Sequence, residues 1–158
     1  MLKDRIEYID LLYSIYSVLK AEYPDKTKTD ISISKKNKEV DKPRFYIDIR
    51  PLNTNSYRDY DVELVNVTIS YTDVIMNQEK TLSIKSIFNE LFNEGIWVEG
   101  VFVYFEKKSF SGNDDCINFN FTINYFNAKS ERNIDKNDKY SEMMNELEFD
   151  TLLNVKEW

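Results

Sequence analysis

Hydrophobic residues recur with two periods along this chain. Leu2, Ile6, Ile9, Tyr13 and Tyr16 fall at helical spacing, widened by Leu12, Ile15 and Leu19, which predicts a helix over 2–22. Tyr23 and Pro24 stop it, because the residue before a proline avoids the helical region. The run 29–34 alternates, with Ile31 and Ile33 on one face, and a polar loop follows through Pro43. Phe45, Ile47 and Ile49 then alternate with Tyr46, Asp48 and Arg50, which predicts a strand over 44–52, with Pro51 ending it or marking an edge. Residues 53–56 read as a polar turn.

A long strand is predicted over 57–71, with a conflict inside it. Tyr60, Val62 and Leu64 have one parity; Val65, Val67, Ile69 and Tyr71 have the other. One pleat cannot bury both sets, so a bulge or bend is expected near Leu64 and Val65. Ile84, Ile87, Phe88, Leu91 and Phe92 form the buried stripe of a second helix over 77–94, with Gly95 as its C-cap residue. Residues 96–99 and 101–110 read as extended around Gly100, and 111–115 as a hairpin loop. The clearest strand is 116–126, where Ile117, Phe119, Phe121, Ile123 and Tyr125 alternate with Asn118, Asn120, Thr122 and Asn124.

After Asn127 the pattern fails. Residues 131–158 hold eight acids against four bases, and Met143, Met144, Leu147 and Phe149 form a small apolar cluster that reads as a short helix. The expected organisation is therefore one domain over 1–127 and an acidic C-terminal tail over 128–158. Runs of strands between helices indicate an α+β fold: a mainly antiparallel sheet of four to five strands with two helices packed on one face.

Composition narrows the function by subtraction. The 158 residues include no histidine, one cysteine and three glycines. That removes the usual proton shuttle, the commonest metal ligand, internal disulfides and glycine-rich phosphate cradles. Net charge is −7, which opposes nucleic-acid binding. The local exception, Lys35, Lys36, Lys38, Lys42 and Arg44, reads as a solvated loop. The N-terminus lacks the apolar core and cleavage site of a signal peptide, and no apolar run approaches the ~20 residues that span a membrane. A protein made and kept soluble in a cytoplasm is the expectation.

Candidate chemistry is sparse. Cys116 opens a strand after two aspartates, whose charge opposes a reactive thiolate. Glu106 and Lys108, on one strand face, resemble the E-x-K half-motif of metal-dependent nucleases, with Glu99 or Asp48 as imaginable further ligands. Asn113, Asp114 and Asp115 lack calcium-loop spacing and read as a turn. The sequons at Asn66 and Asn120 lie in predicted strands. No cofactor, metal or catalytic residue is assigned. Aromatics are the positive signal: Tyr46, Tyr57, Tyr60, Phe102, Tyr104 and Phe110 fall off the main core faces, where such residues mark protein–protein contact.

The order of segments resembles the tail terminator (tail completion) proteins of Firmicutes phages and phage-tail-like particles. The N-terminal residues Met1–Ile6 run directly into an amphipathic helix. Pro43–Ile49 looks like the family's proline followed by an aromatic and aliphatic strand. Arg58 through Tyr71 looks like its long second strand, and Ile117–Tyr125 its last. Met144–Glu148, with Lys156 after it, resembles the closing signature. The resemblance implies a non-enzymatic ring, typically a homohexamer, that sits on the last ring of tail tube protein and halts tube growth. It then meets the head connector or the end of the sheath, or closes a headless phage-tail-like bacteriocin.

The expected partners are further copies of the chain, the tube protein and a sheath or connector protein. No membrane is involved, and DNA only passes through the lumen. Candidate contact residues are Tyr57, Arg58 and Tyr60 in the aromatic loop. Asn118, Asn120, Thr122 and Asn124 on the polar strand face, and Met143, Met144, Leu147 and Phe149 in the tail, complete the set. The rivals are a head–tail connector or neck subunit and, from another class, a nuclease built on Glu106 and Lys108.

Overall fold

The computed structural model describes residues 5–34, 40–112 and 115–129. Helix α1 (Tyr8–Glu22) begins where the Asp10 carboxylate accepts the Glu7 N–H at 2.8 Å. It ends where Tyr23 N–H returns to the Leu19 carbonyl at 2.8 Å, just before Pro24. Its buried stripe is Leu11, Ile15 and Leu19, whereas Ile9 and Tyr13 are half exposed. Two overlapping stripes compete on this helix, and the more aliphatic one takes the core.

Six strands follow: β1 (Asp30–Ser32), β2 (Arg44–Ser56), β3 (Tyr60–Thr72), β4 (Gly95–Val98), β5 (Val101–Gly112) and β6 (Ile117–Ala128), with helix α2 (Gln78–Leu91) between β3 and β4. They form one sheet in the order β1-β2-β3-β6-β5-β4. The described residues form an α+β fold with two helices, as the sequence indicates. The sheet is mainly antiparallel, as expected, but its strand count differs from the four to five expected. Among the described residues there are six, and β1 pairs parallel with β2. Helix α1 contacts β1, β2 and also β4, which are at opposite ends of the strand order, so the sheet curls around it.

One hydrophobic core lies between the helices and the inner sheet face. Phe88 of α2 stacks on Phe119 at 5.2 Å and meets Phe45 edge-on at 5.8 Å, and Phe92 lies over Phe121 at 5.9 Å. Each such side chain contributes about 1.5–3 kcal/mol by leaving water. The Asn77 side chain caps α2 by accepting Lys80 N–H at 2.8 Å.

Two bulges decide which residues face the core. The parity conflict in β3 is resolved across the ladder rather than within the strand. Pro51 pairs with Val65 and Asn53 with Leu64, so Leu52 is the extra residue of a bulge in β2. Strand β3 keeps a single pleat against β6 along its length. Residues 53–56, expected as a turn, continue β2, and the turn falls at 57–60, closed by Tyr57 N–H to the Tyr60 carbonyl at 2.8 Å. The second bulge lies in β5 between Glu106 and Ser109, with Lys107 at φ 50°. It flips the parity, so Phe105 and Phe110 both pack on the core although one is odd and the other even.

Because β3 stays regular, its inner face at the hairpin end carries Asp61 and Glu63, both buried. Polar partners answer them. Arg5 pairs with Asp61 at 3.4 Å. Glu63 accepts Tyr8 Oη at 2.8 Å and Thr54 Oγ1 at 2.7 Å. The Asn127 amide bonds both the N–H and the carbonyl of Ile6 at 2.9 Å, so it acts as a missing strand partner for the lead-in to α1.

Gly95 does not cap α2. It is the first residue of β4, and a Cβ there would sit 2.1 Å from the Val103 carbonyl oxygen. Glycine is required by close approach of β5. The tight β4–β5 turn uses Glu99 (φ 49°) and Gly100 (φ 82°), the positive-φ pair of a two-residue hairpin.

Candidate assembly surface

The outer sheet face has a polar half and an aromatic half. In the polar half, Thr68 Oγ1 donates to Asn120 Oδ1 at 2.5 Å, Ser70 Oγ to Asn118 Oδ1 at 2.7 Å, and Thr122 Oγ1 to the Glu106 carbonyl at 3.0 Å. Asn118, Asn120 and Thr122 are thus half-buried and engaged along the sheet, while Asn124 is exposed. Asn118, Asn120 and Thr122 of the candidate set take part in a cross-strand network within the subunit.

The aromatic half lies at the end where β6 finishes. Strand β5 is antiparallel to β6, with Phe105 opposite Ile123, so its first residues run toward that end. The β2–β3 turn is there as well, since Tyr60 pairs with Ala128. Tyr57 stacks on Tyr60 at 4.9 Å with planes 20° apart, and Tyr60 lies 5.8 Å from Phe126, which is 70% exposed. Val62 and Leu64 continue this face inward along β3. Strand β5 pairs with β4 only over 101–104, and that hairpin carries the second group. Trp97 meets Phe102 at 5.3 Å and Phe102 meets Tyr104 at 5.0 Å, both edge-on. Trp97 and Tyr104 are 69% and 63% exposed.

The structure therefore brings Tyr57, Arg58 and Tyr60 together with residues the candidate set omitted. Phe126 and Trp97 were legible from parity alone. Tyr125 is a core residue, so the next residue in the strand must face outward; Trp97 lies between inward Ile96 and Val98. Of the off-core aromatics, Phe110 is turned inward by the β5 bulge. Met143, Met144, Leu147 and Phe149 lie outside the described residues, as do Lys35, Lys36 and Lys38.

The nuclease half-motif is broken by the same bulge. Lys107 interrupts the pleat, and Lys108 Nζ donates to the carbonyls of Phe92 and Asn93 at the end of α2. There its charge favours the helix C-terminus. Asp48 pairs with Arg50 at 2.9 Å, and Glu99 is in the β4–β5 turn. No group of three potential metal ligands from His, Cys, Asp and Glu occurs among the described residues. No helix among them is long and apolar enough to cross a membrane.

The family model described as phage tail terminator protein matches residues 10–135. No curated protein matches the chain. Among the solved structures that match, one aligns at 10% identity over 78% of this chain and 96% of its own, with a TM-score of 0.42. The match to the family model runs from the first turn of α1 to beyond the end of β6, and on it the chain belongs to the phage tail terminator protein family, structural components of the phage tail.

Proposed function

We propose that the protein caps the tail tube as a ring of identical subunits, six in the simplest case, and thereby ends tube polymerisation. The opposite side of the ring then receives the head connector or the end of the sheath, and in a headless particle it closes the tail. The role is assembly without chemistry. Family membership over 10–135 is the observation that carries this reading. The exposed aromatic end of the sheet supports it, since monomeric proteins rarely leave such groups in water. A net charge of −7 suits a lumen through which DNA passes without adhering.

The test is polymerisation of the cognate tube protein with and without the purified chain, followed by electron microscopy. Capped tubes should stop growing and show extra density at one end. Unchanged tube lengths and bare ends, at chain concentrations above that of tube ends, would refute the reading.

A further inference from the structure

The two aromatic groups at the end of the sheet differ in their charged surroundings. Arg58 is at the tip of the β2–β3 turn beside Tyr57 and Tyr60, and Lys129 follows Phe126 and Ala128, its N–H bonded to the Asp59 carbonyl at 3.0 Å. Asp59 is the exposed acid of this group, because Asp61 is buried and paired with Arg5. Two bases thus face one acid. The β4–β5 hairpin is the reverse. Glu94 and Glu99 bracket Trp97 and Glu106 follows Tyr104, all three exposed, against Lys107. Three acids face one base, since Lys108 is turned to the end of α2.

We infer that the two groups are the complementary halves of a head-to-tail contact between copies of this chain: the Tyr57, Tyr60 and Phe126 group of one subunit meets the Trp97, Phe102 and Tyr104 hairpin of the next, with Arg58 and Lys129 facing Glu94 and Glu99. Self-pairing of either group about a two-fold axis would oppose like charges, which costs several kcal/mol. Pairing of unlike groups removes that cost, and with each group engaging a different neighbour the contact is heterologous and forms a ring where its rotation closes. Aromatic side chains of about 150–250 Å² exposed to this degree give roughly 300 Å² per group. That is less than half of the ~800 Å² each partner commits to a stable interface. Isolated subunits should therefore associate weakly and transiently.

The inference gives the ring proposed above its subunit contact, and rests on that reading only for the number of copies. Disulfide trapping detects weak contacts and leaves Arg58, Lys129, Glu94 and Glu99 in place; Asp59→Cys removes the one opposing acid and so makes the turn group more basic. In a Cys116→Ser background, one protein carries Asp59→Cys and a second Val101→Cys, both at exposed positions. Mixed and oxidised, they should form the 59–101 cross-link on the order of tenfold faster than either protein links to itself. Adding Arg58→Glu to the first should abolish that advantage, and adding Glu99→Arg to the second should restore it.

Equal rates for all three pairings, or no effect of Arg58→Glu, would overturn the inference. The same proteins in the tube assay separate the two readings. Tubes capped without preferential cross-linking leave the capping role standing and assign the aromatic surface to the tube protein. Cross-linking without capping leaves the contact standing and removes the capping role.

Discussion

Replacing Gly95 by alanine tests how the β4–β5 hairpin is attached. The new Cβ would lie 2.1 Å from the Val103 carbonyl oxygen, whereas real Cβ contacts essentially never fall under 3.0 Å. One backbone must move by about 1 Å. The obstacle is main chain, so no rotamer change relieves it, and overpacking of this kind costs about 1–3 kcal/mol. Gly95 pairs with Tyr104 and Ile96 with Val103, so the shift also stretches the ladder hydrogen bonds, each worth about 1 kcal/mol. The lower chain entropy of alanine in the unfolded state returns about 0.4–1 kcal/mol.

The net loss should be about 2–3 kcal/mol, a large fraction of the ~5–15 kcal/mol that holds a domain together. Urea titration followed by circular dichroism measures it directly. Gly112→Ala is the internal control. A Cβ there meets its nearest neighbour, Ile117 Cγ1, at 3.8 Å, so the substitution should be within about 0.5 kcal/mol of neutral. A further variant separates close approach from helix capping. Asparagine substitutes well for glycine at a helix C-cap, whereas at a site of backbone contact it should be at least as harmful as alanine. Equal midpoints for Gly95→Ala and Gly112→Ala, or tolerance of Gly95→Asn, would refute this account of the hairpin.

Two other outcomes follow from the buried polar groups. Asn127→Ala should leave the Ile6 N–H and carbonyl unpaired, at a cost of about 2–4 kcal/mol. Amide exchange should then accelerate selectively in the first turn of α1; unaltered protection there would contradict the anchoring role. Stability should also fall above pH 10. Burial, reinforced by Asp73 for Tyr71 and by Glu63 for Tyr125, raises both phenols well above their ordinary 10.0. The folded state therefore holds protons that the unfolded chain releases, so the stabilisation is complete below about pH 10 and is lost as pH rises beyond it. Tyr125→Phe removes a buried hydroxyl that has no hydrogen-bond partner, so it should cost little at pH 7 and flatten the alkaline decline of the urea midpoint. An unchanged slope would exclude Tyr125 as a source.

Much of the fold could be read from local pattern because the elements are amphipathic and each pattern is short-range. The alternation of β6 specified a core face, and Phe119, Phe121 and Ile123 occupy it. The stripe of α2 named Ile84 and Phe88 correctly. Helix α1 was less legible, since Ile9 and Tyr13 fit the period as well as Leu11 and Ile15 do. Only contact with the curled sheet selects between them. The parity conflict in β3 was visible, but its remedy was not. A bulge can sit in either strand of a pair, and Leu52 absorbs it in the partner. The candidate surface followed the same division. Tyr57, Arg58 and Tyr60 were evident as aromatic and charged residues, while the turn that gathers them and their meeting with Phe126 needed the pairing of β3 with β2 and with β6.

By itself the sequence determined the α+β class, the inward set of β6, the lack of histidine chemistry and the family. These depend on composition and on periods of two and 3.6 residues, which act within a single element. Tertiary structure decided the rest. Strand order, the parallel β1, and the register around Leu52 and Lys107 arise between elements distant in sequence. They turn Phe110 inward, give Lys108 to the end of α2, and make Gly95 a point of backbone contact. A residue's parity is local, but which parity faces water is settled only when the neighbouring strand is in place.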